Sequence, residues 1–332
     1  ATGHGFKIIK EKEGVTVDYD KTVEQLYTYV TEKWNKKANI KLTATTTVSK
    51  PKYTTEDCEK VSNEPMGSYT TEFSVGSSYA NRNLNIQNGA KLINGAVVYP
   101  GEQYSCNENL YPWTEDNGWH PAGTYVDGGV QDSLGGGICQ VSSTLYNALL
   151  RAEIKVVKRF PHSMAVGYVP LSADAALAGD YKDLVFENDT DAPIYVQGIY
   201  NSGGSITFNI YGHDTRKAGH SVKYESKTIK TTPVKTQTKK DSSKPVGYSE
   251  VESSGHVGYV AELWKITYEN GKQVSKELIH TSTYAMSPTI VVKGTKKAST
   301  TTKKDDSDKD DKKSSEKTTK KSTSSKKSKK SE

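Results

Sequence analysis

Hydrophobic residues are scarce in this chain, at 33% of 332 residues, while 25% are charged. So small a share argues against one large core. At about 100–200 residues per domain, the length allows two or three modest folded units. Long apolar runs are missing as well: no stretch approaches the roughly 20 apolar residues that span a bilayer, which predicts a soluble chain. The opening Ala1-Thr2-Gly3-His4-Gly5 is polar and lacks the apolar segment of a signal peptide. A protein working outside the cell would therefore be expected here as a mature or trimmed ectodomain whose signal or membrane anchor has been removed. Cysteine is rare, with three in all, so in a secreted protein at least one is unpaired.

The formal net charge of +6 is local. Residues 296–332 carry 14 Lys, seven acidic residues and 15 Ser or Thr, an excess of seven positive charges that leaves residues 1–295 near −1. The folded part thus shows no basic excess, and nucleic-acid binding loses its main support. The tail has nothing to bury and is expected to be disordered. It suits an anionic wall polymer such as teichoic acid and a solubilising linker equally well.

Residues 5–60 read as a small α+β unit. Phe6 to Ile9 and Val15 to Val17 resemble short strands; Val23, Leu26, Tyr27, Val30 and Trp34 recur at helical spacing; Ile40 to Val48 returns as a strand. Thr54 or Thr55, with Glu56 and Asp57 behind it, suits a second short helix. From Gly67 to about Asp214 the texture changes to glycine-rich turns and short apolar runs, ending in a hairpin of Ile194–Tyr200 and Ile206–Tyr211. Beyond Ser221, alternation at Val222–Ile229 and Tyr259–Tyr268 and an Asn270-Gly271 turn predict a long, polar β module.

The strongest chemical signal is Gly135-Gly136-Gly137-Ile138-Cys139-Gln140-Val141-Ser142-Ser143-Thr144-Leu145-Tyr146. Three glycines allow a tight backbone approach, and from Val141 the apolar residues follow at helical spacing. Cys139 then falls in the first helical turn, on the side of Ser142, Ser143 and Tyr146. The positive end of the helix dipole there favours a thiolate, and unpaired N–H groups could hold an oxyanion. Downstream, His162 heads an alternating segment, Met164 to Val169, read as a strand, and Asp174 follows a turn at Pro170. Cysteine, histidine and carboxylate in this order suit thiol acyl transfer. Singly, a cysteine is more often a small core residue and a histidine a satisfied surface or core group, and Asp174 could simply cap a turn; the glycine-rich entry to Cys139 with His162 downstream favours catalysis. Cys58 and Cys106 could pair and leave Cys139 free, although three isolated thiols fit the sequence equally. Zinc held by Cys139 and His162 is disfavoured by their spacing, and no metal or cofactor is implied.

Asn81-Arg82-Asn83-Leu84-Asn85-Ile86, Tyr99-Pro100-Gly101-Glu102-Gln103-Tyr104-Ser105, the Gly135–Ala152 block, His162-Ser163, Tyr168-Val169-Pro170, Asp174-Ala175 and Asp183-Leu184-Val185-Phe186-Glu187-Asn188 together resemble the VanW domain, in its order. Cys106 departs from the aromatic residue usual after Tyr-Ser. Residues 1–66 resemble the peptidoglycan-binding domain that often precedes VanW, 67–214 the VanW domain itself, and 219–295 a G5 domain, with the tail at 296–332. The fold class expected is α+β multidomain: a small α+β wall-binding unit, an α+β catalytic domain with the cysteine helix packed on an antiparallel sheet, and an extended all-β G5 module.

Some proteins of this architecture act as L,D-transpeptidases. The resemblance therefore implies Cys139 as nucleophile, His162 as general base and acid, and Asp174 as third member, with Asp183 and Asn188 as substitutes. It places Gln140, Ser142, Ser143 and Tyr146 near the substrate, and Arg82 or Arg159 could pair with a stem carboxylate, though an arginine beside aromatic residues is as often a structural clamp. The implied reaction joins peptidoglycan stems by 3→3 cross-links through a Cys139 thioester. Water in place of the acceptor amine gives a carboxypeptidase or amidase, and a non-catalytic wall-binding scaffold is the alternative from another class. Partners would be stem peptides and glycan strands at the outer face of the membrane or in the wall.

Overall fold

A computed structural model of the chain describes residues 5–36, 41–126 and 129–297. Of the tail expected at 296–332, Lys296 ends a strand and residues from 298 onward lie outside the described residues; so does Ile40, and the strand expected at Ile40–Val48 is found only at Thr46–Ser49. Among the described residues the architecture is mixed α and β, mostly sheet with a few helices, and no helix is long and apolar enough to cross a membrane.

At the N-terminal end, β1 (Gly14–Val17) pairs antiparallel with β2 (Thr46–Ser49), and α1 (Tyr19–Thr28) lies between them in sequence. Asp18 caps α1 by accepting the Lys21 N–H at 3.1 Å. Val23, Leu26, Tyr27 and Val30 do form helical turns and Trp34 falls just beyond them in extended backbone, but all five side chains stay exposed. Phe6 to Ile9 is not a strand: Phe6 instead sets its ring edge-on to Tyr195 and Tyr211, each at 5.3 Å. The short α2 (Thr55–Glu59) opens with Thr54 and Asp57 capping each other.

The next elements are β3 (Gly67–Glu72), α3 (Ala80–Ile93), β4 (Ala96–Val98), β5 (Gln103–Ser105), α4 (Cys106–Leu110), β6 (Pro121–Val126), β7 (Gly129–Leu134), α5 (Ile138–Ala152), β8 (Lys155–Lys158), β9 (Val185–Glu187), β10 (Ile194–Asn201) and β11 (Ser205–Tyr211). The main sheet runs β3-β11-β10-β4, all antiparallel. Its alternating Ile194, Val196, Ile206, Phe208 and Ile210 are fully buried beside Ile86 and Ile93 of α3 and Val141, Leu145 and Leu149 of α5. A second sheet, β5-β9-β8, closes the core. Cys58 and Cys106 do not pair: all three cysteines are free, and Cys106 is a core residue.

The C-terminal strands are β12 (His220–Thr232), β13 (Thr236–Pro245), β14 (Ser249–Ser253), β15 (Gly258–Glu269), β16 (Lys272–Tyr284) and β17 (Thr289–Lys296). One sheet runs β12-β15-β16, the other β13-β17-β14 with β13 parallel to β17. The expected Asn270-Gly271 turn is present, with φ of 51° and 77°. β13 and β14 escape a reading by alternation, because they are exposed almost throughout and are held by backbone pairing.

These strands pack on the α5 region. Tyr224 donates to Leu150 O at 2.8 Å, His220 bridges Glu153 and Glu269, and Ala285 N–H donates to Ser163 O at 2.7 Å.

Candidate active site

The three glycines set where α5 begins. Gly137 is its N-cap with φ 109°, a region L side chains avoid, and a Cβ there would meet Arg82 O at 3.1 Å. A Cβ on Gly136 would lie 2.4 Å from Ala122 O. The first turn is tied back by Ile138 N–H to Gly135 O and Gln140 N–H to Gly137 O. The Gln140 amide is therefore already engaged, which narrows the set of N–H groups expected to serve an oxyanion.

Cys139 stands in that turn, partly exposed, on the face it shares with Ser142, Ser143 and Tyr146 as the periodicity predicted. The segment from Ser172 to Leu177 runs along this face. Ser142 Oγ donates to Ala175 O at 2.6 Å, Ala175 N–H donates to Ser143 Oγ at 2.9 Å, and Asn147 Nδ2 donates to Ala173 O at 2.7 Å. Leu177 N–H reaches Cys139 Sγ at 3.4 Å. Helix α5 thus aligns the strand of chain that carries Asp174 with the turn that carries the thiol.

His162 and Asp174 are both buried. Oδ2 of Asp174 accepts the His162 backbone N–H at 2.7 Å and faces His162 Nδ1 at 2.6 Å. Oδ1 accepts from Arg159 at 2.7 Å and from the Tyr284 hydroxyl. With Nδ1 taken by Asp174, Nε2 faces the Tyr168 hydroxyl at 3.3 Å and is the ring nitrogen left to interact with Cys139, whose Sγ also lies 3.4 Å from Leu177 O. The two carboxylate oxygens are thus occupied by four contacts, which fixes the plane of the carboxylate and hence the imidazole ring.

Burial opposes charge on all three groups, and the contacts overcome it. Burial pushes the Cys139 thiol up, but the hydrogen bond and charge of His162, with the Leu177 N–H, bring it below the ordinary thiol value. Burial pulls His162 down, and its bonds to Asp174 and Cys139 reverse this and push it up to about 9. Burial pushes Asp174 up, yet His162, the Arg159 guanidinium and Tyr284 hold it well below the usual carboxylate range. A thiolate facing an imidazolium is the arrangement these contacts favour.

The structure brings Cys139, His162 and Asp174 together and leaves the substitutes for Asp174 elsewhere. Asp183 accepts from Ser105 Oγ and Asn107 N–H, and Asn188 is used inside a turn against Val98 and Ala192. The residues expected beside the substrate are differently employed. Gln140 is buried between Arg82, Thr71 and Glu72 O, so both it and Arg82 brace the helix start. Ser142 and Ser143 hold the Ala175 backbone. Tyr146 is buried with its ring 5.8 Å from the Arg159 guanidinium. Arg159 itself spends its donors on Asp174, Ser172 O and Ser282 rather than on an incoming carboxylate.

Met164 to Val169 is irregular, not a strand. Met164 and Val169, five residues apart, are the buried residues of the segment, which does not follow the period of two, and the backbone around it is tied to neighbouring loops. Missed altogether were Ser172, Ser282, His280 and Tyr284. The last three come from β16, more than 100 residues beyond Asp174, and no local pattern marks them.

The family model described as VanW like protein matches residues 81–211, and the G5 domain model matches residues 223–296, in the order the sequence resemblance implied. Over 164 residues the chain is 37% identical to the Bacillus subtilis (strain 168) protein described as uncharacterized protein YoaR, covering 49% of this chain and 53% of YoaR. Over 116 residues it is 28% identical to the vancomycin B-type resistance protein VanW of Enterococcus faecalis (strain ATCC 700802 / V583), covering 33% of this chain and 42% of that protein. The chain spans about half the length of the curated relatives it matches. A solved IgA1 protease G5 domain is 31% identical, covering 25% of this chain and 96% of that domain, with a TM-score of 0.19.

Proposed function

From a chain that carries a VanW-like domain followed by a G5 domain, we propose a cell-wall enzyme: a peptidoglycan L,D-transpeptidase that forms 3→3 cross-links through a thioester on Cys139. The observation that carries the reading is the half-buried Cys139 at the start of α5, interacting with a His162 whose Nδ1 is held by Asp174.

In this reading the Cys139 thiolate attacks the carbonyl of the third stem residue of a tetrapeptide donor. The oxyanion forms beside the N-terminal turn of α5. His162, already protonated, gives its proton to the nitrogen of the departing terminal D-alanine as the C–N bond breaks, leaving an acyl-enzyme. Neutral His162 then takes a proton from the side-chain amine of an acceptor stem's third residue as that amine attacks the thioester. The thiolate leaves, and the ion pair with His162 is restored. Asp174 stays ionised throughout and orients the ring as a positioning residue. The G5 domain would bind wall polymer and keep the enzyme at its substrate, at the outer face of the membrane or in the wall.

Mass spectrometry of the protein incubated with a stem tetrapeptide tests the first half-reaction. An adduct on Cys139 equal to the donor minus alanine is expected, and none with Cys139→Ala. Muropeptide analysis tests the second half: dimers joined between third residues support transfer, trimmed monomers alone replace it with hydrolysis, and no product with intact wall binding leaves only a scaffold.

A further inference from the structure

The Asp174 carboxylate is completed from outside the VanW-matched residues. Tyr284, the last residue of β16, donates its hydroxyl proton to Asp174 Oδ1 and accepts the Ser172 N–H at 2.6 Å. Ser282, two residues earlier on the same face of β16, accepts from Arg159 at 2.8 Å and bonds Ser172 Oγ at 2.8 Å. His280 lies 2.7 Å through Nε2 from Ser172 O, and since burial lowers its pKa to about 4, the ring is neutral and donates.

Three alternate residues of one strand thus converge on a single turn. Ser172 has φ 68°, an uncommon and strained conformation for a residue with a side chain. Such a conformation persists where its surroundings over-determine it, and here β16 holds the Ser172 N–H, C=O and hydroxyl. Ser172, Ser282 and Tyr284 are all buried, so these bonds are made away from competing water.

We propose that β16 of the G5 domain is a structural part of the thiol site, with Tyr284 as a positioning residue that sets the 172–174 turn, one oxygen of Asp174 and through it the ring of His162. The inference rests on the Cys139–His162 reading above and gives the G5 domain a role besides holding polymer. The ionisable groups facing Asp174 are His162, Cys139 and Arg159, Tyr146 from α5, Tyr168, and Tyr284 and His280 from β16. Arg159 supplies the neighbouring fixed positive charge, so the Tyr284 hydroxyl adds direction to the carboxylate more than charge. Without it the Ser172 N–H is left buried and unpaired, which the turn can relieve only by moving.

The test is the pH dependence of iodoacetamide alkylation at Cys139 in the full chain, read site by site by mass spectrometry. In the unsubstituted protein the midpoint is expected below the ordinary thiol value, lowered by His162 and the Leu177 N–H. Tyr284→Phe is expected to raise it by about 0.5 pH unit or more, roughly a threefold loss of thiolate below the midpoint. Ser282→Ala should raise it by a smaller step. Ile266→Ala, which removes a buried side chain of β15 paired with Lys223 and Lys276 rather than with the residues that hold the turn, should lower the melting temperature and leave the midpoint in place.

A folded Tyr284→Phe protein with an unchanged or lowered midpoint overturns the proposal. Should that variant fail to fold, Ser282→Ala decides it: a raised midpoint supports the proposal and an unchanged one overturns it. The assay needs no peptidoglycan turnover. A protein that shows these shifts but makes no acyl adduct would refute the transpeptidase reading and leave the role of β16 standing.

Discussion

His162 meets one oxygen of Asp174 twice, with its backbone N–H at 2.7 Å and its Nδ1 at 2.6 Å from Oδ2. The double contact fixes the ring relative to its own backbone, because a rotation about the side-chain bonds breaks one bond while the other holds. Nε2 is thereby set facing the Tyr168 hydroxyl, on the side of the ring left for Cys139. Asp174 in turn is gripped on Oδ1 by Arg159 and Tyr284. Orientation passes from two distant parts of the chain, through one carboxylate, to one ring nitrogen.

Asp174→Asn keeps the shape but must turn an NH₂ group toward donors, either Arg159 and Tyr284 or the two N–H groups of His162. We expect kcat to fall on the order of 10⁴-fold, the scale seen when the carboxylate of a comparable triad is made neutral. The titration of His162, followed by its ring-nitrogen NMR signals, should drop from about 9, because the support of Asp174 is lost while that of Cys139 remains. A midpoint that stays near 9 would show that Cys139 alone supports the imidazolium.

Thiolate at Cys139 depends on His162, since burial by itself pushes the thiol up. Alkylation of Cys139 should therefore reach its plateau at a pH below that of a free thiol. In His162→Ala the midpoint should move above roughly 8.5, because the burial remains and the compensating charge is gone. The comparison is made from rates at a series of pH values, with Cys106 as the internal buried reference.

The parts of the site legible in the sequence are those set by local geometry. Three consecutive glycines before an amphipathic run mark the start of α5, and the 3.6-residue period places Cys139 with Ser142, Ser143 and Tyr146. The spacing of Asp174 from His162 was readable as chain order, and a turn at Pro170 does bring them together, with Ala173 N–H bonded to Pro170 O. What alternation could not reveal was that Met164 to Val169 lacks a pairing strand: in the fold only Met164 and Val169, five residues apart, are buried, and the apparent period of two is not used. Tyr284 and Ser282 were beyond reach for another reason. Strand β16 alternates as any half-exposed strand does, and only its contact with Ser172 distinguishes it.

Backbone crowding at the glycine lead-in gives a test by contrast. Gly136→Ala puts a methyl 2.4 Å from Ala122 O, a backbone atom that cannot swing aside. Overpacking of this kind costs about 1–3 kcal/mol, and relief requires the first turn of α5 to move. Both the melting temperature and the alkylation rate of Cys139 should fall. Gly167→Ala is the control, since nothing lies within 4 Å of its Cβ and its φ is not positive; stability there should change by less than about 0.5 kcal/mol.

Arg159 and Asp174 form an ion pair with both side chains buried, at 2.7 Å. Arg159→Met removes the cation and leaves a buried carboxylate supported by His162 and Tyr284 alone, a loss that costs about 3–5 kcal/mol. The pH dependence separates this from simple loss of packing. Asp174 is held below its unfolded value, so its contribution is present above about pH 3.9 and is lost as pH falls through the folded-state value. Removing Arg159 raises that folded value and narrows the interval. The substitution should therefore cost most near neutral pH, where the carboxylate is charged in both states. The gap to the parent protein should shrink on acidification below about pH 4, as the buried carboxylate of the variant takes up its proton first. Urea denaturation at pH 7 and pH 3.5 measures both differences, and an equal cost at the two pH values would show that Arg159 stabilises the site by packing alone.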